Sequence, residues 1–158
     1  MIVFSCYNDV RNEQFHLVLK NNYSYNKYKN TDTLFLEKKE INNKIFYNYF
    51  DNNRTNKNLI FSFYIEKDSI IDFTGIKYFL KKSKKYNVEN IKYTVDIFFS
   101  DDENVVDDKS CCFYNKKYGL LTKFDLSWGL FSNTLYCDSI SSQLVFKIIN
   151  DSSNFSKY

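Results

Sequence analysis

LIFSFYIEKDSIIDFTGIKYF, residues 59–79, changes its period in the middle. Leu59, Phe61, Phe63 and Ile65 alternate with their neighbours, as one face of a half-buried strand does. Beyond Asp68 the apolar residues Ile70, Phe73, Ile76 and Phe79 recur every three to four positions, the spacing of an amphipathic helix. Ser69 with Asp72 three residues on reads as a capping box, in which the serine oxygen accepts from a first-turn N–H and the carboxylate reaches back. Lys81, Lys82, Lys84 and Lys85 then fall where cations complement the last carbonyls of a helix. The stretch therefore predicts a strand, a junction at Asp68 and a helix from Ile70 to Leu80. Gly75 would cost that helix about 1 kcal/mol relative to alanine and would mark close packing on a sheet.

Outward from this stretch the chain reads mostly as strands. QFHLVLK (14–20) puts Phe15, Leu17 and Leu19 on one face and leaves His16 on the opposite, exposed one. Further strands are expected at 33–39, 44–50, 91–99, 126–131, 134–137 and 143–149, with a hairpin over 111–124 that turns near Asn115 and Lys117. Residues 21–32 and 51–58 are polar and Asn-rich, which predicts connections, and 100–109 reads as an acidic loop. The fourteen Tyr and sixteen Phe suit pleated, half-buried surfaces. A chain of 158 residues, 44% hydrophobic, supports one domain with a proper core. Together these features predict a mainly β, single-domain antiparallel β-sandwich over 1–158, with one or two short helices and a flexible tail at 150–158.

Several function classes are disfavoured. A net charge of +3 is mild for a nucleic-acid binder, and the aromatics alternate as core positions rather than as a base-stacking platform. No apolar run has the length of a membrane span, and no leader pattern opens the chain. Cys6, Cys111, Cys112 and Cys137 lack metal-ligand spacing and read as reduced, packed thiols of a cytosolic protein. The carboxylates around Asp101, Asp102 and Glu103 lack the ordered spacing and central glycine of a calcium loop. With one histidine and no GxGxxG, P-loop, GxSxG or HExxH pattern, the sequence offers no general base and implies no cofactor. The expectation is a non-enzymatic monomer that works by surface recognition.

Residues 59–79 also resemble the poxvirus host-range proteins of the vaccinia "C-seven" type. The likeness is carried by Leu59, Phe61, Phe63, Ile65 and Asp68, then Ser69, Ile71 and Asp72, then Gly75, Ile76 and Phe79. EQFHLVLKNN (13–22) is similar to that family's first strand, Tyr114-Asn115-Lys116-Lys117 to its YNKK turn, and SDDEN (100–104) to an acidic segment on the other side of that turn. The resemblance implies a compact β-sandwich without enzymatic activity, in the cytoplasm of an infected host cell. It would bind an interferon-induced host antiviral protein, of the sterile-alpha-motif restriction factor class, through loops between strands. By position those loops are the 66–72 junction and the stretch after the 91–99 strand. Asp68, Ser69, Asp72, Phe98, Phe99, Asp101 and Asp102 are thus the candidate contacts, with Tyr64 and Trp128 as further aromatic anchors. A second resemblance is to the baculovirus caspase inhibitors, through Trp128, Phe131, Asn133, Asp138, Leu144, Lys147 and Asn150. It implies a pseudosubstrate bait, Ile65-Glu66-Lys67-Asp68, cut before Ser69. Ile2, however, stands where that family carries its trapping cysteine.

Overall fold

The computed structural model describes residues 14–24, 27–51, 58–100, 109–127 and 129–154. The strands are β1 (Gln14–Ser24), β2 (Lys27–Ile41), β3 (Lys44–Asp51), β4 (Leu59–Glu66), β5 (Ser69–Asp72), β6 (Lys77–Val88), β7 (Ile91–Ser100), β8 (Ser110–Asn115), β9 (Gly119–Asp125) and β10 (Leu130–Tyr136). A helix, α1 (Ser139–Asn150), and one 3-10 turn, Ser152–Asn154, complete the described chain. Each strand pairs antiparallel with its neighbour in sequence, and β1 pairs with both β2 and β10. The protein is therefore mainly β, as expected, but its sheet closes into a ten-strand barrel instead of stacking as a sandwich. Closure depends on Val18 finding Tyr136 and Leu19 finding Leu135, pairings more than a hundred residues apart. It removes the two outer edges that an open sheet would carry.

Two apolar clusters follow from the alternation. Val18, Leu34, Leu36, Tyr47, Tyr49, Phe63, Ile70, Tyr78, Phe98, Cys112 and Tyr114 fill the barrel. Tyr47 stacks on Phe63 at 4.7 Å and Tyr49 on Phe61 at 4.0 Å, while the Tyr47 and Tyr114 hydroxyls share a 2.9 Å hydrogen bond. The second cluster lies between the outer wall and α1, where Leu144, Val145 and Ile148 meet Tyr86, Val95, Ile97, Phe113 and Leu121. Cys111 and Cys112 follow the same rule, one in each cluster, and burial pushes the Cys112 thiol up to about 12.

The strands expected at 14–20, 33–39, 44–50, 59–65 and 91–99 are present, and the hairpin turns at 116–118. Four expectations are corrected. Within the polar stretch 21–32, residues 21–24 extend β1 and 27–32 extend β2, because their Asn and Thr side chains bond across the ladder: Asn22 donates to Asp32 at 2.9 Å and Thr31 to Asn21 at 2.6 Å. On β1 it is Val18 that is buried in the barrel, so His16 and Lys20 turn inward with it while Leu17 and Leu19 stay half-buried outside. Residues 143–149 form α1, not a strand. Asp138 caps it by accepting from Ser141 N–H at 2.8 Å, and Ser141, Leu144, Val145 and Ile148 repeat at helical spacing.

The fourth correction concerns the opening stretch. No helix spans 70–80: Ser69 and Asp72 bound the short strand β5, and the chain reverses into β6. Asp72 and Gly75 occupy the first and fourth positions of a tight turn, with Gly75 N–H donating to Asp72 C=O at 2.9 Å. Gly75 takes φ +87°, a conformation open to glycine and strained for other residues. The Asp72 carboxylate accepts from Thr74 N–H at 2.9 Å and Ile76 N–H at 3.1 Å, competing with any helix for these donors. The apparent helical spacing comes from a four-residue turn, 73–76, set between two strands.

The barrel has two unlike ends. At the turn end lie 42–43, 67–68, 89–90 and 116–118. At the loop end lie the turn 73–76, the last residues of β3, β7 and β9 and the first of β4, β8 and β10.

Candidate protein-binding surface

The residues expected to form one grip are divided between these ends. Asp68 and Ser69 belong to the turn end, where Lys67 (φ 52°) and Asp68 link β4 to β5. Asp68 is exposed, and its carbonyl accepts from Leu80 N–H at 2.9 Å, the last backbone contact on that side of β6. Asp72 lies a strand's length away at the loop end. Phe98 and Phe99 are only 3% and 5% exposed, Phe98 in the barrel and Phe99 against the outer cluster, so neither ring is free for a partner. Asp101, Asp102 and Trp128 lie outside the described residues. Tyr64 is half-buried on the wall beside Phe46, with the Lys44 ammonium 5.0 Å from its ring centre.

Asp72 acts within the fold. Besides the two turn amides it accepts from Tyr78 Oη at 3.3 Å and from Lys123 Nζ at 3.3 Å, which ties β5 across the interior to β9. Ser110 Oγ donates in turn to Tyr78 Oη at 3.3 Å. Burial alone would raise the Asp72 pKa, but the Thr74 bonds and the Lys123 charge outweigh it and hold the carboxyl below its ordinary value. Lys20 lies deeper, with its ammonium 4.3 Å from the Phe61 ring centre. Desolvation lowers its pKa, opposed by Asp32 and assisted by Lys123.

The loop end also carries exposed apolar side chains: Phe73 and Ile76, expected in a helix, Leu59, expected on a core face, and Ile60. Phe73 is 64% exposed. Phe73 N–H donates to Ser62 C=O at 2.9 Å, which seats the 73–76 turn beside β4, whose first residues Leu59 and Ile60 are exposed at the same end on opposite faces of the strand. The polar and charged residues Asn58, Thr74 and Lys77 are exposed there too. On another arc of the same rim, Tyr23 stacks on Phe131 at 4.3 Å beside an open concavity of about 300 Å³, which Asn22, Lys29, Lys123 and Ser132 also line. The helical spacing of DFTG hides the 73–76 turn in the sequence. The Asp-to-Gly spacing of a type I turn was the signal that could have exposed it.

Among the described residues no group of His, Cys, Asp and Glu could hold a metal ion, and no helix is long and apolar enough to cross a membrane. No protein-family model matches the chain, and no curated protein is significantly similar to it.

Proposed function

We propose that this chain is a protein-binding module that docks its partner on the loop end of the barrel. The observation that carries this reading is the exposure of Phe73 and Ile76 on a turn that the Asp72 carboxylate holds, with Leu59 and Ile60 also exposed at this end of β4. Apolar side chains exposed on one rim beside polar groups are the usual composition of a binding hot spot. A pre-ordered turn also reduces the entropy lost on association.

The partner class follows from the likeness of residues 59–79 to the poxvirus host-range proteins: an interferon-induced host antiviral protein of the sterile-alpha-motif restriction factor class, bound in the host cell cytoplasm. The barrel departs from the sandwich which that likeness implies, so the partner class rests on the residues alone. The caspase-bait alternative asks a protease cleft to take an extended segment around Asp68. Here Glu66 and Ser69 pair directly across a two-residue turn, which does not favour it.

The test is affinity capture from lysate of interferon-treated mammalian cells, read by mass spectrometry, with the wild type beside Phe73→Ser/Leu59→Ser. Both side chains are exposed, so the double variant should keep its fold. A restriction factor captured by the wild type and lost by the variant supports the reading. Equal capture by both sinks the loop-end docking face, and capture of a caspase with a new fragment ending at Asp68 sinks the host-range assignment.

A further inference from the structure

We propose that the open edge of β6 takes up an extended acidic segment of a partner protein as an added strand. This goes beyond the loop-end reading and uses a different surface. The ladder between β5 and β6 covers only Lys77, Tyr78 and Phe79, and the Asp68–Leu80 bond ends it. Lys81 falls in a register shift, and from 82 to 88 β6 pairs with β7 alone among the described residues, so alternate N–H and C=O groups along these seven residues face outward without a strand partner. This edge is uncovered because β5 is only four residues long.

The edge is rigid. Its inner ladder to β7 runs from Lys82↔Ile97 to Val88↔Ile91, and Tyr86 and Val88 are buried in the outer cluster that α1 covers. Lys82 and Lys84 reach back to the C-terminal turn: Lys82 Nζ donates to Ser153 C=O at 3.3 Å and Lys84 Nζ to Asp151 Oδ2 at 2.9 Å. An incoming strand would therefore find a backbone template already ordered, and would lose only its own freedom. Strand addition of this kind draws affinity from main-chain hydrogen bonds and selectivity from the side chains on either face.

Charge identifies the occupant. Lys81 and Lys85 are exposed and make no ion pair among the described residues, and Lys92 is exposed on the neighbouring strand opposite Asn87. Lysines along an edge normally prevent pairing with another copy, since the same run would face itself and like charges across a ladder repel. The same lysines favour a strand that brings carboxylates, so they select as well as protect. A second copy is thus disfavoured and an acidic extended segment is favoured.

The probe is a short fluorescent peptide alternating glutamate and valine, titrated against the full chain by anisotropy. Hydrogen exchange is followed with and without it. The expected result is salt-sensitive binding that slows exchange of amides within 82–88, and no binding by the same peptide N-methylated at alternate amides. Lys81→Glu/Lys85→Glu, a change confined to exposed side chains, should weaken binding about tenfold and shift preference to a lysine–valine peptide. Absence of binding, equal binding by the methylated peptide, or protection confined to other strands would overturn the proposal.

Discussion

The two ends of the barrel hold their shape by different means. At the turn end the backbone is forced: Asn42, Asn43, Lys67, Glu89 and Asn90 all have φ between 50° and 64°, and Gly119 has φ +71°. Two-residue hairpins need this left-handed geometry because it matches the twist of the strands they join. At the loop end the turn 73–76 is held by side chains, with one carboxylate, Asp72, serving two amides, a phenol and an ammonium. The forced turns expose apolar residues only beside them, as Ile41 and Ile91 are, whereas the turn fixed by a side chain carries Phe73 and Ile76 within itself. The contrast separates an end whose turns the backbone dictates from one whose turn depends on a single carboxylate.

The largest expected effect tests the forced end. A Cβ at Gly119 would lie 2.8 Å from Tyr47 Cε1 and 3.0 Å from Cδ1, and Tyr47 is fully buried in the stack with Phe63. Gly119→Ala adds left-handed strain to overpacking and should cost about 2–4 kcal/mol in urea unfolding. A loss below about 1 kcal/mol would show that the Tyr47 ring moves aside and that this end is softer than its geometry implies. Next in size is the loop end. Asp72→Ala leaves the Thr74 and Ile76 amides and the Lys123 ammonium without their acceptor, for about 2–3 kcal/mol. It should also speed amide exchange in 73–76 while the turns at 42–43 and 89–90 keep theirs.

These differences bear on what could be read from residues alone. Strands β3, β4 and β7 were legible because their alternation is local and complete: Tyr47 and Tyr49, Phe61 and Phe63, and Val95 and Ile97 each sit two apart. Closure was not legible, since no local feature of β1 announces that its second neighbour is β10. Residues 70–80 misled because a four-residue turn inserted between strands shifts the alternation by an amount that mimics a helical period. The lysine run 81–85 was read as a helix end although it marks an edge, since a basic cluster after an apolar stripe suits both. Helix α1 carried a signal that was passed over: Asp138 ahead of Ser141, Leu144, Val145 and Ile148. Of the candidate residues, Asp68 lies in the β4–β5 turn and Asp72 at the start of the 73–76 turn, not in a helix cap. That they lie at opposite ends is a consequence of the reversal at β5, which the helix reading concealed.

A smaller effect sharpens the comparison from the stabilising side. Lys67 holds φ 52° at the β4–β5 turn with an exposed side chain, so its strain is relieved by a residue at home in that region. Lys67→Gly should raise stability by up to about 1 kcal/mol, less the entropy that glycine adds to the unfolded chain. Thermal unfolding would read it, and a clear loss would mean that the Lys67 side chain does more than cross the turn.

Acid should separate the two ends in order. His16 turns into the turn end, 5.5 Å from the Tyr136 ring, where burial and then the nearby Lys38 charge lower its pKa from the ordinary 6.5. The unfolded chain therefore takes up this proton first. The associated stability is complete above pH 6.5 and is lost as pH falls through the folded value. Asp72 is also depressed, from 3.8, so its contribution is complete above that value and is lost only at lower pH, as the carboxylate lets go of Lys123 and the 73–76 amides. Urea unfolding followed from pH 8 to pH 3 should thus show an early decline that His16→Gln removes and a late one that Asp72→Asn removes. Amide exchange should quicken near β1 and β10 in the first interval and in the 73–76 turn in the second. If His16→Gln leaves the early decline unchanged, the inward face of β1 is wetter than its neighbours suggest, and the forced end is not the one that acid loosens first.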